Sequence, residues 1–437
     1  MENSWSQVEL IREAFHYKSR FEGSTMVFKI DFPVTENPIF PSLLSDLALL
    51  NKTGFRVVVV PGAREWIDTV LKENKIEVRY KGQLRISSAE AMPYVQMAAF
   101  HTASSYMTGF SGSRVDALIG NFFRARGLGV IDGVDMEHTG SVDKFYLDSF
   151  NRILDLKMIP ILPCVSWNST GKAYNVSSNE ISCQAAAKLK AEKLFIVTLS
   201  GGVSCNTLKI PGNINTDENG RVNILSPEEA KLILEANPID SKSKRELAMA
   251  VKALNDGVKR VHIINGSEEG AILKELFSNL GAGTMIHRDE YVSIREIKSR
   301  DIAEILRLME PLMKQGKLVR RSAEDIREKK DDYAVFEVDS QIRACGALHL
   351  WGEKQAEIAA IATDPSYTEM GLGRKMVNYL TEKARKLNQK KVFALTTGSS
   401  DWFESLGFKE VMPESLPEKR RLIYDHNRNS KVMALNL

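Results

Sequence analysis

Two glycines stand where an apolar strand hands over to a helix, in Met370-Gly371-Leu372-Gly373-Arg374-Lys375. The strand-like run over 357–363 ends at Asp364-Pro365, and beyond the glycines Met376, Val377, Leu380, Ala384 and Leu387 recur at helical spacing. Glycines at a helix start let backbone N–H groups approach an anion closely, and the helix dipole favours negative charge there. Arg374 adds a cation, so the loop suits a diphosphate. It has neither the lysine-bearing pattern of a Walker loop nor the three glycines of a dinucleotide fold. Further on, DWFESLGF places Trp402 and Phe403 just ahead of a second glycine turn at Gly407. Paired aromatics ordinarily serve a core; this pair also sits at the mouth of a strand–helix–glycine–strand unit.

A strand, a GxG turn, an amphipathic helix and then WFESLGF together resemble the GNAT acetyltransferases, which bind acetyl-CoA. The resemblance implies that Gly371, Gly373 and Arg374, with Met370 beside them, hold the CoA pyrophosphate. Backbone groups of Ile361, Ala362 and Thr363 would line the pantetheine arm, and Trp402 and Phe403 would wall the thiol. The usual loop carries Gln or Arg three residues before its first glycine, where this chain has Thr368. Acetyl transfer to an amine needs a base, N–H donors for the oxyanion and a proton for the departing thiolate. Glu357, at the start of the strand before the loop, is a natural base, directly or through water. The alternative for it is an ordinary strand-end carboxylate. Many GNAT enzymes carry a tyrosine at the second aromatic position to protonate the thiolate; Phe403 has no proton to give.

GKLVRRSAEDI (316–326) and LPEKRRLIYDHNRNSKVMALNL (416–437) sharpen the resemblance, as does GVKRVHIINGSEEGAILKELFSNLGAGT (257–284). They are similar to the family of bacterial two-domain N-acetylglutamate synthases, which joins an amino-acid-kinase-like domain to a GNAT domain. That resemblance implies transfer of acetyl from acetyl-CoA to L-glutamate, the first step of arginine biosynthesis. It matches the base to Glu357 and the hydroxyl proton donor to Thr396. It matches the two arginines that clamp the substrate carboxylates to Arg321 and Arg428, and a dicarboxylate suits guanidinium forks. It implies L-arginine as an effector, with Tyr17, His262, Glu275 and Gly283 as candidates, Glu275 supplying a carboxylate for the guanidinium. It also implies a homo-oligomer, tetramer or hexamer, interlaced through the N-terminal helix.

The elements that must position these residues read as α/β throughout. Strand-like runs cover 26–30, 55–60, 158–167, 194–199 and 261–265. Arg56-Val57-Val58-Val59-Val60 lacks polar alternation, as a strand covered on both faces does. Phe40, Leu43, Leu44, Leu47 and Leu50 mark a helix before Gly54. The βαβ alternation predicts an αβα sandwich with a mainly parallel sheet. An active kinase of this fold needs paired glycines after its first strand; here Lys29 is followed by Asp31, Phe32 and Pro33. The second glycine loop reads VVPGARE, with one glycine, and Glu246 stands where a phosphate-binding lysine is expected. Carboxylates repel phosphate and proline removes a donor, so phosphoryl transfer is disfavoured. The domains are expected at 1–284 and 291–437, with 285–290 as a linker and the second an α+β GNAT domain.

The chain has 437 residues, too many for one ordinary core. Its 59 basic and 56 acidic residues nearly balance, which gives no general case for nucleic acid or a membrane surface. Four dispersed cysteines and seven dispersed histidines show no metal-ligand spacing, and fit reduced thiols and a cytoplasmic location. The N-terminal stretch lacks the pattern of a secretory signal. Competing readings are a GNAT enzyme for another amine, and a non-catalytic sensor of arginine and acetyl-CoA.

Overall fold

The computed structural model describes residues 15, 17–19, 21–212, 214, 216–277, 282–287, 292–338, 341–365 and 371–437. Met370, Thr368 and most of the N-terminal helix segment lie outside them. The chain divides into two compact units, Met1–Arg288 and Asp289–Leu437.

The first unit is built on an eight-stranded sheet. Six strands run parallel in the order Arg260–Asn265, Lys193–Thr198, Thr25–Ile30, Arg56–Pro61, Ile159–Ile161 and Ala117–Ile119. Gly283–His287 lies antiparallel beside the first of these, and Ile224–Leu225 follows at the edge. The unbroken valine run is explained by two cores. Val57 and Val59 pack with Phe28 and Leu47 on one face, while Val58 and Val60 pack with Val27 and Ile67 on the other. Helix Phe40–Lys52 buries the five apolar residues that its spacing picks out. The single strand expected over 158–167 is two. Ile159–Ile161 belongs to the large sheet and Val165–Trp167 to a separate four-stranded one. Pro163 lies between them and has no N–H to continue a ladder.

The second unit is a seven-stranded sheet ordered Val292–Glu296, Tyr333–Val338, Gln341–Gly352, Gln355–Thr363, Lys391–Thr396, Lys431–Asn436, Lys409–Val411. Every neighbouring pair is antiparallel except Gln355–Thr363 with Lys391–Thr396. Helix Leu372–Lys386 buries Met376, Val377, Leu380 and Ala384 on one face. Leu387 does not join that stripe: the helix has ended at Lys386, and the side chain is 44 % exposed. Helix Ile302–Lys314 covers the other face with Ile302, Ile305, Leu308 and Met309. Asp301 immediately precedes it and accepts from the Lys298 N–H at 2.6 Å, and Gly316 closes its far end with a φ of 71°.

Strand Gln355–Thr363 carries a bulge. Cys345 pairs with Ala362 and Ala347 with Ala359, so two residues oppose Gly346. One of them, Ala360, has a φ of 55°, a conformation that L-residues rarely adopt. Gly346 makes room for the distortion. A Cβ there would fall 2.7 Å from Ile361 Cδ1 and 2.9 Å from both Leu380 Cδ1 and Met376 Cγ. Gly346→Ala is therefore expected to destabilise this unit by about 1–3 kcal/mol through overpacking. Urea unfolding checks it, and a midpoint equal to that of the unsubstituted chain would refute it.

Candidate active site

Among the described residues, the only parallel pair in the second sheet is short. Gln355, Ala356 and Glu357 pair with Lys391, Val392 and Phe393, and there the ladder stops. Beyond it both strands continue, to Thr363 and to Thr396, without pairing. The two strands therefore part at Glu357 and leave a cleft whose walls carry main-chain groups without a strand partner. Ile361, Ala362 and Thr363 lie on one wall; Ala362 and Thr363 are tied on their other side to Cys345 and Ala344.

Glu357 sits at the apex and is 6 % exposed. Arg420 Nε donates to its Oε2 at 2.7 Å and Arg420 Nη2 to its Oε1 at 3.1 Å. Trp351 Nε1 donates to Oε2 at 2.9 Å, and the Arg420 guanidinium lies 5.4 Å from the Trp351 ring centre. A carboxylate offers about four acceptor sites, so three bonds leave room for one further donor. On the sheet surface Glu357 faces its cross-strand partner His349. His349 Nδ1 is bonded to Asp332 Oδ2 at 2.6 Å, and its ring meets Tyr333 edge-on.

Thr396 ends the other wall. Its Oγ1 accepts from the N–H of Ser399 at 2.9 Å and of Gly398 at 3.3 Å. With its acceptor side so occupied, the hydroxyl proton is free to be donated. At the far end of the cleft Gly371 has a φ of 63° and opens helix Leu372–Lys386. Trp402 covers Gly373: a Cβ there would lie 3.2 Å from Trp402 Cζ2. Arg374 is exposed, its Nη2 3.4 Å from Ser405 Oγ. The aromatic pair thus divides. Trp402 lies on the glycine turn, whereas Phe403 is 6 % exposed and packs against Phe408 in the core.

Arg428 Nη2 donates to the carbonyls of Gly316 and Lys317 at 3.1 and 2.8 Å, leaving its Nε without a partner among the described residues. Arg321 Nη1 lies 3.3 Å from the Val319 carbonyl. The C-terminal loop is therefore laced to the segment that carries Arg321. The charge of Arg321 is felt at Tyr333 and Cys345, on the sheet face that bears His349 and Glu357. Arg420, Trp351, His349 and Asp332 were not singled out from sequence. The alternation His349, Leu350, Trp351 beside Glu357 was the one signal that could have found the first two sheet residues.

In the first unit the region after the first strand is closed by its own charges. Lys29 donates to Asp31, and Lys242 pairs with Asp31 at 2.9 Å. Burial works against the Asp31 carboxylate, but the two lysines hold it below its ordinary range. Glu246 accepts from Thr198 at 2.7 Å and Ser200 at 2.5 Å, and burial raises its carboxyl despite them. A cavity of about 160 Å³ opens beside this network, lined by Arg64, Arg85 and Asn175 among others.

The remaining candidates gather at the opposite region of that sheet. His262 Nδ1 bonds Glu275 Oε1 at 2.5 Å, and Glu275 Oε2 accepts from the Ala282 N–H at 2.6 Å. His262 stacks on Phe195, and its Nε2 has no hydrogen-bond partner among the described residues. Lys193, missed in the sequence, donates to the Tyr17 hydroxyl at 2.9 Å. Gly283 passes so close to the neighbouring strand that a Cβ would lie 2.1 Å from the Ile263 carbonyl oxygen. Burial, reinforced by the Lys193 charge, pushes the His262 imidazole down to about 4. Burial opposes ionisation of Glu275, but His262 and the Ala282 N–H keep its carboxyl below the usual range. Among the described residues no group of three or more His, Cys, Asp or Glu is placed to hold a metal, and no helix is long and apolar enough to cross a membrane.

Residues 31–265 match the model of the amino acid kinase family, and residues 300–408 that of the acetyltransferase (GNAT) family. The amino-acid acetyltransferase of Salmonella typhimurium is 36 % identical over 98 % of this chain and 98 % of its own. That of Escherichia coli K12 is 35 % identical with the same coverage. Among solved structures, N-acetylglutamate synthase from Neisseria gonorrhoeae complexed with coenzyme A and L-arginine superposes with a TM-score of 0.83. It is 32 % identical, over 98 % of this chain and 99 % of that one. The same enzyme complexed with coenzyme A and N-acetyl-glutamate gives 0.63 at 33 % identity, with the same coverage.

The buried His262 generates a prediction about acid stability. Its folded value of about 4 lies below the ordinary 6.5, so as pH falls through 6.5 the unfolded chain binds a proton that the folded chain refuses. The contribution is whole above 6.5, is lost on the way down to about 4, and is on the order of 3 kcal/mol. His262→Asn should flatten the decline of the first unit's urea midpoint between pH 7 and 4. Parallel profiles for the two proteins would refute the assignment.

Proposed function

We propose that this chain, which belongs to the amino-acid acetyltransferase family, transfers the acetyl group of acetyl-CoA to the α-amine of L-glutamate, with L-arginine as a feedback effector. It is an N-acetyltransferase that uses acetyl-CoA; the amine and the effector are our reading. The observation that carries the reading is Glu357, a buried carboxylate at the last paired residue before two parallel strands separate. The pantetheine arm would enter that cleft as an extra strand, bonding main-chain groups of Ile361, Ala362 and Thr363. Its diphosphate would rest on the N–H groups after Gly371, with Gly373 allowing close approach and Arg374 adding charge. Trp402 would shield the turn from water.

The glutamate carboxylates would be met by Arg321 and Arg428, which the C-terminal loop brings to one region. A relative in complex with coenzyme A and N-acetyl-glutamate supports this choice of amine. The amine would lose a proton to Glu357 through the acceptor site left open by Arg420 and Trp351, directly or through water. Thr396 would pass a proton to the leaving thiolate, its hydroxyl taking the second proton of the substrate nitrogen as it gives up its own. The relative bound to L-arginine supports an arginine effector; its site in this chain would lie in the first unit, at Tyr17, His262, Glu275 and Gly283. There the unpartnered His262 Nε2 is an acceptor that a guanidinium could fill. That unit is proposed as a regulatory domain without phosphoryl transfer, since Asp31 and Glu246 occupy the phosphate region.

The test is CoA release from acetyl-CoA with L-glutamate, compared with aspartate, lysine, and ATP plus N-acetylglutamate. Glutamate-dependent release is expected, and its absence would refute the reading. Glu357→Gln should lower kcat by about 100-fold or more. Arg428→Ala should raise the KM for glutamate by about 10-fold or more, leaving that for acetyl-CoA in place. An unaltered glutamate KM would remove Arg428 from the clamp.

A further inference from the structure

Acetylation of an ammonium releases two protons from one nitrogen. One ends on the CoA thiol; the other must reach solvent before Glu357 can act again. Glu357 itself has no open route. It is 6 % exposed, covered by Arg420 on both oxygens and by Trp351. Resting on the acetyl-transfer reading above, we propose that His349, held by Asp332, relays that proton from Glu357 to solvent.

Three observations place His349 for this. It is the direct cross-strand partner of Glu357, so both side chains stand on one face with Cβ atoms about 4.5–5.5 Å apart. Asp332 reaches His349 from the opposite side, because it leads into strand Tyr333–Val338, which flanks strand Gln341–Gly352 on the edge away from Glu357. With Nδ1 committed to Asp332, Nε2 is bonded by no described protein group, and because no hydrogen bond or ion pair joins it to Glu357 the relay between them runs through a water. Exposure rises along this line. The side chain of Glu357 is 8 % exposed, that of His349 12 % and that of Asp332 33 %.

The step balances without any further reactant. Glu357 takes a proton from the substrate nitrogen; a water between them passes it from Glu357 to His349 Nε2, restoring the carboxylate. The imidazolium, bonded through Nδ1–H to the Asp332 carboxylate, then yields the proton to water. The charged and titratable groups facing His349 are Asp332, Glu357 and the Tyr333 hydroxyl, with Arg420 behind Glu357 and Arg321 beyond Tyr333. His349 touches no reacting atom in this scheme; it is a positioning and relay residue acting through Glu357. The sheet leaves a polar gap for it between two apolar clusters, one around Tyr333 and Cys345, the other around Phe393 and Trp351.

The experiment follows glutamate-dependent CoA release from pH 5.5 to 9 in the intact chain, with His349→Gln and His349→Ala, each with and without added imidazole. Both variants are expected to lose on the order of 10- to 100-fold in kcat, with KM values for glutamate and acetyl-CoA retained. The acid limb of the kcat profile should change shape, and imidazole should restore turnover to His349→Ala in proportion to its concentration. Wild-type kcat and profile in His349→Gln would overturn the relay. So would a loss in both variants that imidazole does not relieve, which would mark a structural role. A wild-type chain that shows no glutamate-dependent release would instead defeat the acetyl-transfer reading itself.

Discussion

The second unit depends on where one pair of strands stops pairing. Parallel strands that remained hydrogen-bonded past Glu357 and Phe393 would close the sheet and leave no cleft. Their separation has a cost, since each main-chain group left unpaired must find another partner. The bulge at Ala360 supplies the means. It bends strand Gln355–Thr363 away while keeping its other edge zipped to Gln341–Gly352 through Ala362 and Thr363. Gly346 supplies the room opposite it. The strained Ala360 φ is thus tied to a visible consequence: a strand edge left without a partner beyond Glu357.

Polar chemistry follows from the same divergence. The sheet face beneath helix Ile302–Lys314 is apolar around Tyr333, Cys345 and Ala362 and apolar again around Phe393 and Val432. Between these clusters the strands bring His349, Trp351 and Glu357 together. A carboxylate so buried must be hydrogen-bonded. The helical turn Glu418–Arg421 meets that demand with Arg420, and the loop after it returns Arg428 to the 316–317 backbone. The C-terminal segment therefore both secures Glu357 and brings a second guanidinium toward Arg321.

Much of this was legible from residue order because it is local. The turn at Gly371 and Gly373, the amphipathic helix after it and the two-faced valine strand are each written in spacing. Glu357 and Thr396 are nominated only through resemblance, since what surrounds them is set by two strands that diverge in space. The bulge was not legible: nothing in Ala359-Ala360-Ile361 distinguishes the residue forced to positive φ, and the demand comes from Gly346 on the neighbouring strand. Arg420 was hidden in a charge run that reads as solvated surface. Phe403 was placed at the cofactor wall, yet Trp402 alone covers the glycine turn while Phe403 faces Phe408.

The first unit, which matches the amino acid kinase family, pairs the charges after its first strand with one another. A phosphate site works by leaving cations and amides unsatisfied until the anion arrives. Here Asp31 takes Lys29 and Lys242 for itself, and Gly62, the one glycine retained in the second loop, donates its N–H to the Ile30 carbonyl at 2.7 Å. Glu246 is satisfied by Thr198 and Ser200. Lys29 and Lys242 are thus each paired with Asp31 at the wall of the cavity that Arg64 and Arg85 also line. Among the described residues, an unsatisfied acceptor remains elsewhere, at His262 Nε2 beside a buried Glu275. An acceptor and a carboxylate together favour a cationic donor over a phosphate.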